Sequence, residues 1–278
     1  MANLLFYDKP IALNKVEHKD TKIKIASGDF SFAGATNSVI LAGVEFTEAA
    51  KEYPIVFAEA GDKIVPIALL GLRNQENLYI DENNNWDARY IPAFVRRYPF
   101  VLAETGEAGQ RIVCSDESFP GFSNDEGDQL FENEEPTPLL KQAIDFLEEY
   151  QKQYIRTENF VNHLVENDLL VSLNAKVDMP GGDQFQLGGL KAVDEQKMLQ
   201  LEDEKALGLY RSGELAWIYS HLISLGAMIS LMSRINRKIE AAAVQDAKAE
   251  EPTEEPADAK PAPKPKKTAA AKKKVSDK

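Results

Sequence analysis

The composition of the chain changes abruptly at Ala241, and this break limits how much of it can fold. Residues 241–278 contain no aromatic side chain, two valines as their only β-branched aliphatic residues, and recurring prolines. Such a segment cannot bury enough apolar surface to offset the entropy lost on ordering. We therefore predict a folded body over residues 1–240 and a disordered tail over residues 241–278.

The formal charge is divided unevenly along the 278 residues. The body carries −15, residues 241–259 carry −5 and residues 260–278 carry +7. An acidic body argues against a nucleic-acid-binding core, because phosphate neutralisation needs a basic face. The tail is interpreted either as a solubilising linker or as an anchor for an anionic surface, such as nucleic acid, lipid or an acidic protein. Its anchoring residues would be Lys264, Lys266, Lys267, Lys272, Lys273 and Lys274.

The first half of the body has the pattern of short strands. Lysines at 22 and 24 alternate with isoleucines at 23 and 25, which is typical of a half-buried strand. Apolar runs at 54–59 and 63–72, separated by a Gly61-Asp62 turn, predict two further strands. The segment FSFAGA at 30–35 predicts another strand.

A nine-residue motif occurs twice. The segments YPIVFAEAG at 53–61 and YPFVLAETG at 98–106 are identical at six of nine positions. Each follows a possible helical turn and precedes a charged stretch and an Ile-Val pair. This pattern predicts two related helix–strand–turn–strand units, paired in one sheet. The alternative is that Tyr-Pro before an apolar strand is a common local solution, because two copies do not define a repeat architecture.

The second half of the body favours helices. Thr137 and Pro138 form a helix start, and Thr157 is predicted to cap a second helix. Two strands at 169–177 and 185–193 flank a Pro-Gly-Gly turn, and a helix follows from Asp194 to Tyr210. Gly213 is a predicted break before a last helix from Glu214 to about residue 240. The predicted fold is α+β, with a mixed or antiparallel sheet and a helical C-terminal half.

The last helix has no formal charge between Glu214 and Arg234, which raises the question of a membrane span. Its length is at the lower end of the about 17–25 residues needed to cross a bilayer. Because it also contains serines and His221, we predict a buried amphipathic helix and no transmembrane span. His221 is interpreted as a hydrogen-bonded core residue.

Four stretches of the body carry a family resemblance. They are GVEFTEAAKEYPIVFA, PIALLGLRNQENLYID with Trp86 just after it, YIPAFVRRYPFVLA and YSHLISL. Together they resemble the SapC family of bacterial proteins, over about residues 1–237. Asn85 stands where the family pattern has glycine before the tryptophan, and asparagine tolerates the left-handed turn geometry. The resemblance implies an association with bacterial surface layers and supplies no catalytic residues.

The segment around Trp86 offers oxygen ligands at alternate positions, as a calcium loop does. It departs from the EF-hand pattern, because Trp86 replaces the required glycine and Pro92 replaces the bidentate glutamate. A hairpin turn is the favoured interpretation, and no metal is predicted. The weak calcium candidates are Asp81, Asn83, Asn85 and Asp87.

A group of arginines in the acidic body is the main binding candidate. Arg96 and Arg97 precede Tyr98, and Arg89 lies shortly before them. Guanidinium groups can clamp a carboxylate or phosphate bidentately. The competing interpretation is that Arg96 and Arg97 pair with glutamates such as Glu52 or Glu104 and stabilise the sheet. The candidate binding residues are Arg89, Arg96, Arg97, Tyr98, Trp86 and Tyr53.

Motifs for covalent or cofactor chemistry are missing from the sequence. The single cysteine, Cys114, has acidic neighbours that would raise the pKa of its thiol, so we interpret it as a small buried residue. There is no GxSxG, Walker-type or GxGxxG motif. We predict no cofactor and leave any catalytic residues unknown.

The family resemblance favours a non-enzymatic protein-interaction component of the bacterial surface layer or envelope, and the sequence chemistry does not contradict it. The alternative is an enzyme or enzyme-partner subunit that recognises a small anionic or peptide substrate through an Arg-rich cleft. A cleft that places the arginines beside Tyr98, His163 or His221 would favour this alternative, whereas a flat aromatic patch would favour the interaction role. The N-terminal sequence has no signal-peptide pattern, which predicts the cytoplasm or signal-independent export to the surface.

Overall fold

The predicted α+β class is confirmed. The computed structural model describes residues 5–24, 28–104, 111–178 and 184–249. The strands are β1 (Pro10–Ala12), β2 (Lys22–Ile23), β3 (Ser38–Ile40), β4 (Ile55–Ala60), β5 (Lys63–Leu69), β6 (Phe100–Glu104), β7 (Arg111–Asp116), β8 (Phe122–Ser123), β9 (Asp128–Gln129), β10 (Phe131–Glu132), β11 (Glu135–Pro136), β12 (Leu170–Asp178) and β13 (Gln184–Val193). The helices are α1 (Phe46–Ala49), α2 (Ala93–Arg96), α3 (Pro138–Glu166), α4 (Glu195–Leu199), α5 (Asp203–Ser212), α6 (Glu214–Ser224) and α7 (Met228–Ala249).

The largest sheet has five antiparallel strands in the order β12-β13-β4-β5-β3. The central strands β4 and β5 are mostly buried, as their apolar runs predict. The main core lies against this sheet and is closed by residues of α3 and α6, including Phe160, Trp217 and Ile218. A smaller core lies where the start of α3 meets Ile23, Phe100 and Leu130.

The two predicted helix–strand–turn–strand units are present. The first is α1, β4 and β5, and the second is α2, β6 and β7; both strand pairs are antiparallel. The turn of the second unit, at 105–110, lies outside the described residues. The expectation that the units pair in one sheet is wrong, because β6 and β7 form a separate sheet in the order β1-β7-β6. Strand β7 pairs with β6 and with the N-terminal strand β1, and neither β6 nor β7 pairs with β4 or β5 among the described residues.

The helix start at Thr137 is confirmed, whereas the second helix start at Thr157 is wrong. The Thr137 side chain accepts a hydrogen bond from the Leu140 N–H, and Pro138 is the first helical residue. Thr157 lies inside the continuous helix α3. Its hydroxyl donates to the Gln153 carbonyl at 2.6 Å and accepts from the Gly43 N–H at 2.8 Å. A threonine that bonds back by one turn does not interrupt a helix.

The C-terminal half contains the predicted strands, and its helices are divided differently. The Pro180–Gly182 turn between β12 and β13 lies outside the described residues. The helix expected from Asp194 to Tyr210 is two helices, α4 and α5. Asp194 caps α4, and Gly213 separates α5 from α6 with a φ of 81°, in the left-handed region that favours glycine.

The last helical stretch continues further than the sequence predicts. Helices α6 and α7 are joined by a 3-10 turn at Leu225–Ala227, and α7 ends at Ala249 rather than near residue 240. The stretch 214–241 is long and apolar enough to cross a membrane by length and composition alone, and an 18-residue window within it has a mean hydropathy of 1.5. Only one of its sides is buried against the body, through residues such as Trp217, His221 and Leu231.

One compact unit comprises Met1–Ile239, and a second comprises Glu240–Lys278. Of the second unit, the structure describes residues 240–249, which belong to α7. The first nine residues of the segment expected to be disordered are therefore helical. Residues 250–278, including all of the tail lysines proposed as anchors, lie outside the described residues.

Candidate functional site

A groove with a cavity volume of about 690 Å³ is formed by Lys24 together with three segments of the chain. The first is the turn at 28–32, where the predicted strand FSFAGA is instead a 3-10 turn. The second is the end of α2 with Tyr98, and the third is the loop from Phe119 to Glu126. The groove therefore opens where the second helix–strand unit meets the N-terminal turn.

Aromatic rings form one continuous wall of this groove. The rings of Phe32 and Tyr98 are stacked, with centroids 4.1 Å apart and planes at 20°. Phe119 meets the Tyr98 ring edge-on at 5.5 Å. Phe30 extends the wall towards the core, because its ring contacts Trp86 at 5.7 Å. Such a surface offers flat apolar contacts to a ligand at little entropic cost, since the rings already pack on one another.

Tyr98 is oriented by a buried carboxylate behind the wall. Its hydroxyl donates to Asp116 Oδ2 at 3.2 Å. Asp116 also accepts from the Lys9 N–H at 2.9 Å and from the Ser118 hydroxyl at 2.8 Å. Burial raises the pKa of the Asp116 carboxyl, but hydrogen bonds from Lys9, Ser118 and Asp8 outweigh burial and hold it below 3.8. The pKa of Tyr98 is raised, first by burial and then by the Asp116 charge.

Arg96 borders the groove, and other groups hold its side chain. Its Nε donates to the Ile91 carbonyl at 2.9 Å. The guanidinium carbon lies 5.1 Å from the Phe146 ring centroid and 5.9 Å from that of Tyr90. Arg96 is an exposed residue that lies beside the aromatic wall.

The lining of the groove also includes acidic side chains. Asp29, Asp125 and Glu126 line it together with Lys24. Lys24 pairs with Glu126 at 3.2 Å, and the Ser31 N–H bonds to Asp29 Oδ1 at 3.0 Å. The groove thus combines apolar rings with one guanidinium and a surplus of carboxylates.

Arg97, the next residue after Arg96, does not line the groove. Its guanidinium carbon lies 3.9 Å from the Phe94 ring centroid, 5.4 Å from that of Tyr150 and 5.8 Å from that of Tyr7. Successive helical residues diverge by about 100°, so the two arginines cannot share one clamp. Burial raises the pKa of Tyr7 to about 12, although the Arg97 charge opposes this shift. Arg97 is a cation held among aromatic rings, with its Nε buried and without a hydrogen-bond partner among the described residues.

The other predicted binding residues are not brought into the groove. Arg89 is exposed elsewhere, and its backbone N–H donates to Glu52 at 3.4 Å. Tyr53 and Trp86 are core residues: the Trp86 indole N–H donates to the Tyr53 hydroxyl at 2.8 Å, and that hydroxyl donates to the Tyr90 carbonyl. In the described residues, Glu104 pairs with Arg111 rather than with Arg96 or Arg97. Of the six predicted binding residues, Arg96 and Tyr98 are therefore the two that line the groove.

Sequence reasoning missed Glu45, a buried carboxylate that supports the groove from behind. Its oxygens accept from the Ala93 N–H and the Tyr90 hydroxyl, both at 2.7 Å, and from the Ala42 N–H at 2.8 Å. Burial raises the pKa of Glu45, and these hydrogen bonds oppose the rise. Through Ala93 it fixes the start of α2, which carries Arg96. The signal in the sequence was an acidic residue between apolar Val44 and Phe46.

A family model described as SapC matches residues 13–231. The chain belongs to the SapC family. No curated protein and no solved structure matches the chain. The described groove residues, from Lys24 to Glu126, all lie within the SapC match, whereas the lysines of the tail lie beyond it.

The candidate calcium loop of this SapC-family protein has the geometry of a hairpin turn. Asp81 Oδ1 accepts from the Asn83 and Asn85 backbone N–H groups at 2.9 and 2.7 Å. Ile80 and Trp86 form an antiparallel bridge across the turn. Asp87 pairs with Arg234, which also donates to the Asp87 carbonyl at 2.6 Å. Within the described residues, no group of three or more His, Cys, Asp or Glu side chains is arranged to hold a metal.

Cys114 and His221 both lie in the interior of the SapC body. Cys114 is a buried residue of β7, and burial raises the pKa of its thiol. His221 Nε2 accepts from the Val193 N–H at 3.0 Å, and Nδ1 lies 2.9 Å from the Ile55 carbonyl. Since one ring nitrogen accepts and the other must donate, the imidazole is neutral and links α6 to two strands of the main sheet. His163 lies outside the groove and pairs with Glu214 at 2.9 Å.

Proposed function

We propose that this protein is a non-enzymatic interaction component of the bacterial surface layer or envelope, and that it binds an extended peptide segment of a partner protein. The surface-layer role rests on membership of the SapC family. The observation that carries the binding role is the aromatic groove walled by Phe32, Tyr98 and Phe119. Its volume of about 690 Å³ falls in the range of about 300–1,000 Å³ that is typical of ligand sites.

The chemistry of the groove favours a peptide over a small anion. A peptide can place an apolar side chain on the rings and charged side chains on either rim. A small anion would meet Arg96 but also Asp29, Asp125 and Glu126, whose like charges oppose its binding. The polar rim thus supports recognition of a segment that carries basic as well as apolar side chains.

The groove is also prepared for binding before a ligand arrives. Tyr98 is fixed by Asp116, and the start of α2 is fixed by Glu45. A wall that is already ordered loses little conformational entropy when a peptide packs on it. This favours a recognition surface over a loop that orders on contact.

One observation favours the enzymatic alternative: Arg96 lies beside Tyr98 in the same cleft. In that case the protein would be an enzyme, or a partner subunit of one, acting on a small anionic or peptide substrate. The divergence of Arg97 and the exposed position of Arg89 remove two of the three expected clamp residues. The interaction role is therefore our first proposal.

Affinity purification from native cells, coupled to fractionation and mass spectrometry, tests the proposed role. We expect a co-purifying envelope protein, recovered intact, and a direct affinity between the two purified proteins. Phe119→Ala should weaken that affinity by at least about tenfold, whereas Ile155→Ala, on the exposed side of α3, should leave it unchanged. Recovery of a partner-free protein would contradict the interaction role. A chemically altered partner would favour the enzymatic alternative.

A further inference from the structure

Two segments of the aromatic groove each contribute a ring together with a carboxylate. The N-terminal turn contributes Asp29 and Phe32, and the loop after β7 contributes Phe119 and Asp125. Both aspartates are exposed residues of the lining, whereas both rings are partly buried. The groove therefore offers an apolar surface and a negative charge from each of these segments.

The charges that line the groove do not cancel. Lys24 and Glu126 form an ion pair at 3.2 Å, which leaves Arg96 as one positive charge against Asp29 and Asp125. Among the described residues, neither aspartate has an ion-pair partner. The body around the groove carries −15 as well. The local surplus and the overall charge both favour a cationic ligand.

The two unpaired carboxylates are positioned before a ligand arrives. The Ser31 N–H donates to Asp29 Oδ1 at 3.0 Å, and hydrogen bonds from Ser31 hold the pKa of the Asp29 carboxyl below 3.8. The backbone of Asp125 is fixed at both ends: its N–H donates to the Ser123 hydroxyl at 3.0 Å, and its carbonyl accepts from Lys22 Nζ at 2.9 Å. A cation that pairs with these carboxylates therefore orders little of the protein.

Lysine and arginine side chains match both parts of this lining. Their aliphatic stems pack on apolar surface while the charged head stays at a polar site. A cation is also attracted to the face of an aromatic ring. Arg96 does not oppose such a segment, because its guanidinium can donate to the backbone carbonyls of a bound peptide.

We propose that the groove selects a partner segment with basic side chains, at least one paired with Asp29 and one with Asp125, whose aliphatic stems pack on Phe32 and Phe119. This inference rests on the proposed peptide-binding function and adds the class of side chain that is recognised. An acidic segment would meet the same rings, but the two carboxylates would repel it.

Fluorescence anisotropy with labelled peptides and the full chain tests this selection. The probe is a peptide of four Lys-Pro-Leu repeats, because its prolines keep it extended. In its two analogues, glutamine or glutamate replaces every lysine. The lysine peptide should bind at least about tenfold more tightly than the glutamine analogue, and the glutamate analogue should bind most weakly. The affinity for the lysine peptide should fall as ionic strength rises.

Substitutions in the groove separate local recognition from the overall charge of the body. Asp29→Asn and Asp125→Asn should each weaken binding of the lysine peptide by about threefold, and the double variant by about tenfold. Asp29→Asn keeps an oxygen that accepts from Ser31, so the turn is retained. Asp62→Asn is the matched control: it changes the net charge equally at an exposed aspartate that does not line the groove, and it should leave the affinity unchanged. Lys24→Gln should strengthen binding, because it releases Glu126.

Three results would overturn the proposal. The first is a glutamine or glutamate analogue that binds as tightly as the lysine peptide. The second is an effect of the Asp29→Asn and Asp125→Asn double variant no larger than that of Asp62→Asn, which would assign the binding to net charge. The third is no saturable binding of the lysine peptide.

The purified partner distinguishes these failures from a failure of the proposed function. If Phe119→Ala weakens partner binding and the double aspartate variant does not, the groove binds its partner through other chemistry and only the selection of basic side chains is wrong. If Phe119→Ala also leaves partner binding unchanged, the binding role of the groove is wrong as well.

Discussion

Tyr98 and Asp116 are joined by a 3.2 Å hydrogen bond that connects the wall of the groove to the buried end of β7. The phenol ring lines the groove, and the carboxylate is buried. Asp116 has no exposed surface and is held by the backbone of the N-terminal segment through Lys9. The orientation of the groove wall therefore depends on the packing of β1 against β7.

The phenolic hydroxyl and the ring of Tyr98 should have separable effects. Tyr98→Phe removes one hydrogen bond and should lower the free energy of unfolding by about 1 kcal/mol, with partner affinity nearly unchanged. Tyr98→Ala also removes the stacking on Phe32 and should cost about 2–3 kcal/mol and most of the affinity. Urea unfolding and a binding titration measure the two effects. Equal affinity losses for both variants would show that the hydroxyl itself contacts the ligand.

Glu45 should make the protein less stable as pH rises above the ordinary carboxyl pKa. Burial raises its folded-state pKa above 4.5, so the folded protein retains a proton that the unfolded chain has lost. Stability should therefore fall with increasing pH between the unfolded and folded pKa values. Glu45→Gln lacks this contribution. Its free energy of unfolding should therefore rise, relative to that of the natural protein, as pH increases between the two pKa values. Parallel curves for the two proteins would contradict the assignment.

His221 should have the opposite effect at low pH. Burial lowers its pKa from 6.5 to about 4, so the unfolded chain binds a proton in this range that the folded protein does not. Stability should therefore fall as pH decreases from 6.5 to 4, by roughly 3 kcal/mol for this group. His221→Gln can form similar hydrogen bonds but does not titrate. As pH falls from 6.5 to 4, the difference in unfolding free energy between the natural protein and His221→Gln should shrink by that amount. A difference that stays constant would exclude a contribution from His221 titration.

Arg97 should stabilise the fold without contributing to the groove. Arg97→Lys retains the charge but loses the planar contact with Phe94, so unfolding should become easier by about 1–2 kcal/mol. Partner affinity should not change. Arg96→Gln is the matched comparison: it should reduce affinity, and its cost in stability should be smaller than that of Arg97→Lys because Arg96 is exposed. If Arg97→Lys lost affinity at normal stability, the result would support the hypothesis that Arg96 and Arg97 bind one ligand together.

Local patterns in the sequence were sufficient to predict most of the elements that have local causes. The Thr137 cap, the Gly61-Asp62 turn and the Gly213 break each depend on neighbouring residues, and the repeated Tyr-Pro motif identified both helix–strand units. Thr157 was wrongly predicted to cap a helix. Its hydroxyl instead accepts a hydrogen bond from the N–H of Gly43, which is 114 residues away in sequence and cannot be seen in a local pattern. The separate sheets were missed for the same reason, since the pairing of β1 with β7 spans about a hundred residues.

The candidate site was predictable only in part. Arg96 and Tyr98 were recognised because arginines are unusual in an acidic body, but the sequence could not show that consecutive arginines diverge. The other groove walls, Phe32 and Phe119, carry no motif and acquire a role only when the fold brings them together. Glu45 was missed because a buried glutamate has no sequence signature apart from its apolar neighbours.

The two copies of the Tyr-Pro motif place their tyrosines in different environments. Tyr53 in the first copy is fully buried and holds Trp86, whereas Tyr98 in the second copy faces the groove. A substitution at position 53 must disturb the interior, whereas one at position 98 alters the groove wall together with the bond to Asp116. One local motif therefore builds the interior in its first copy and a surface groove in its second.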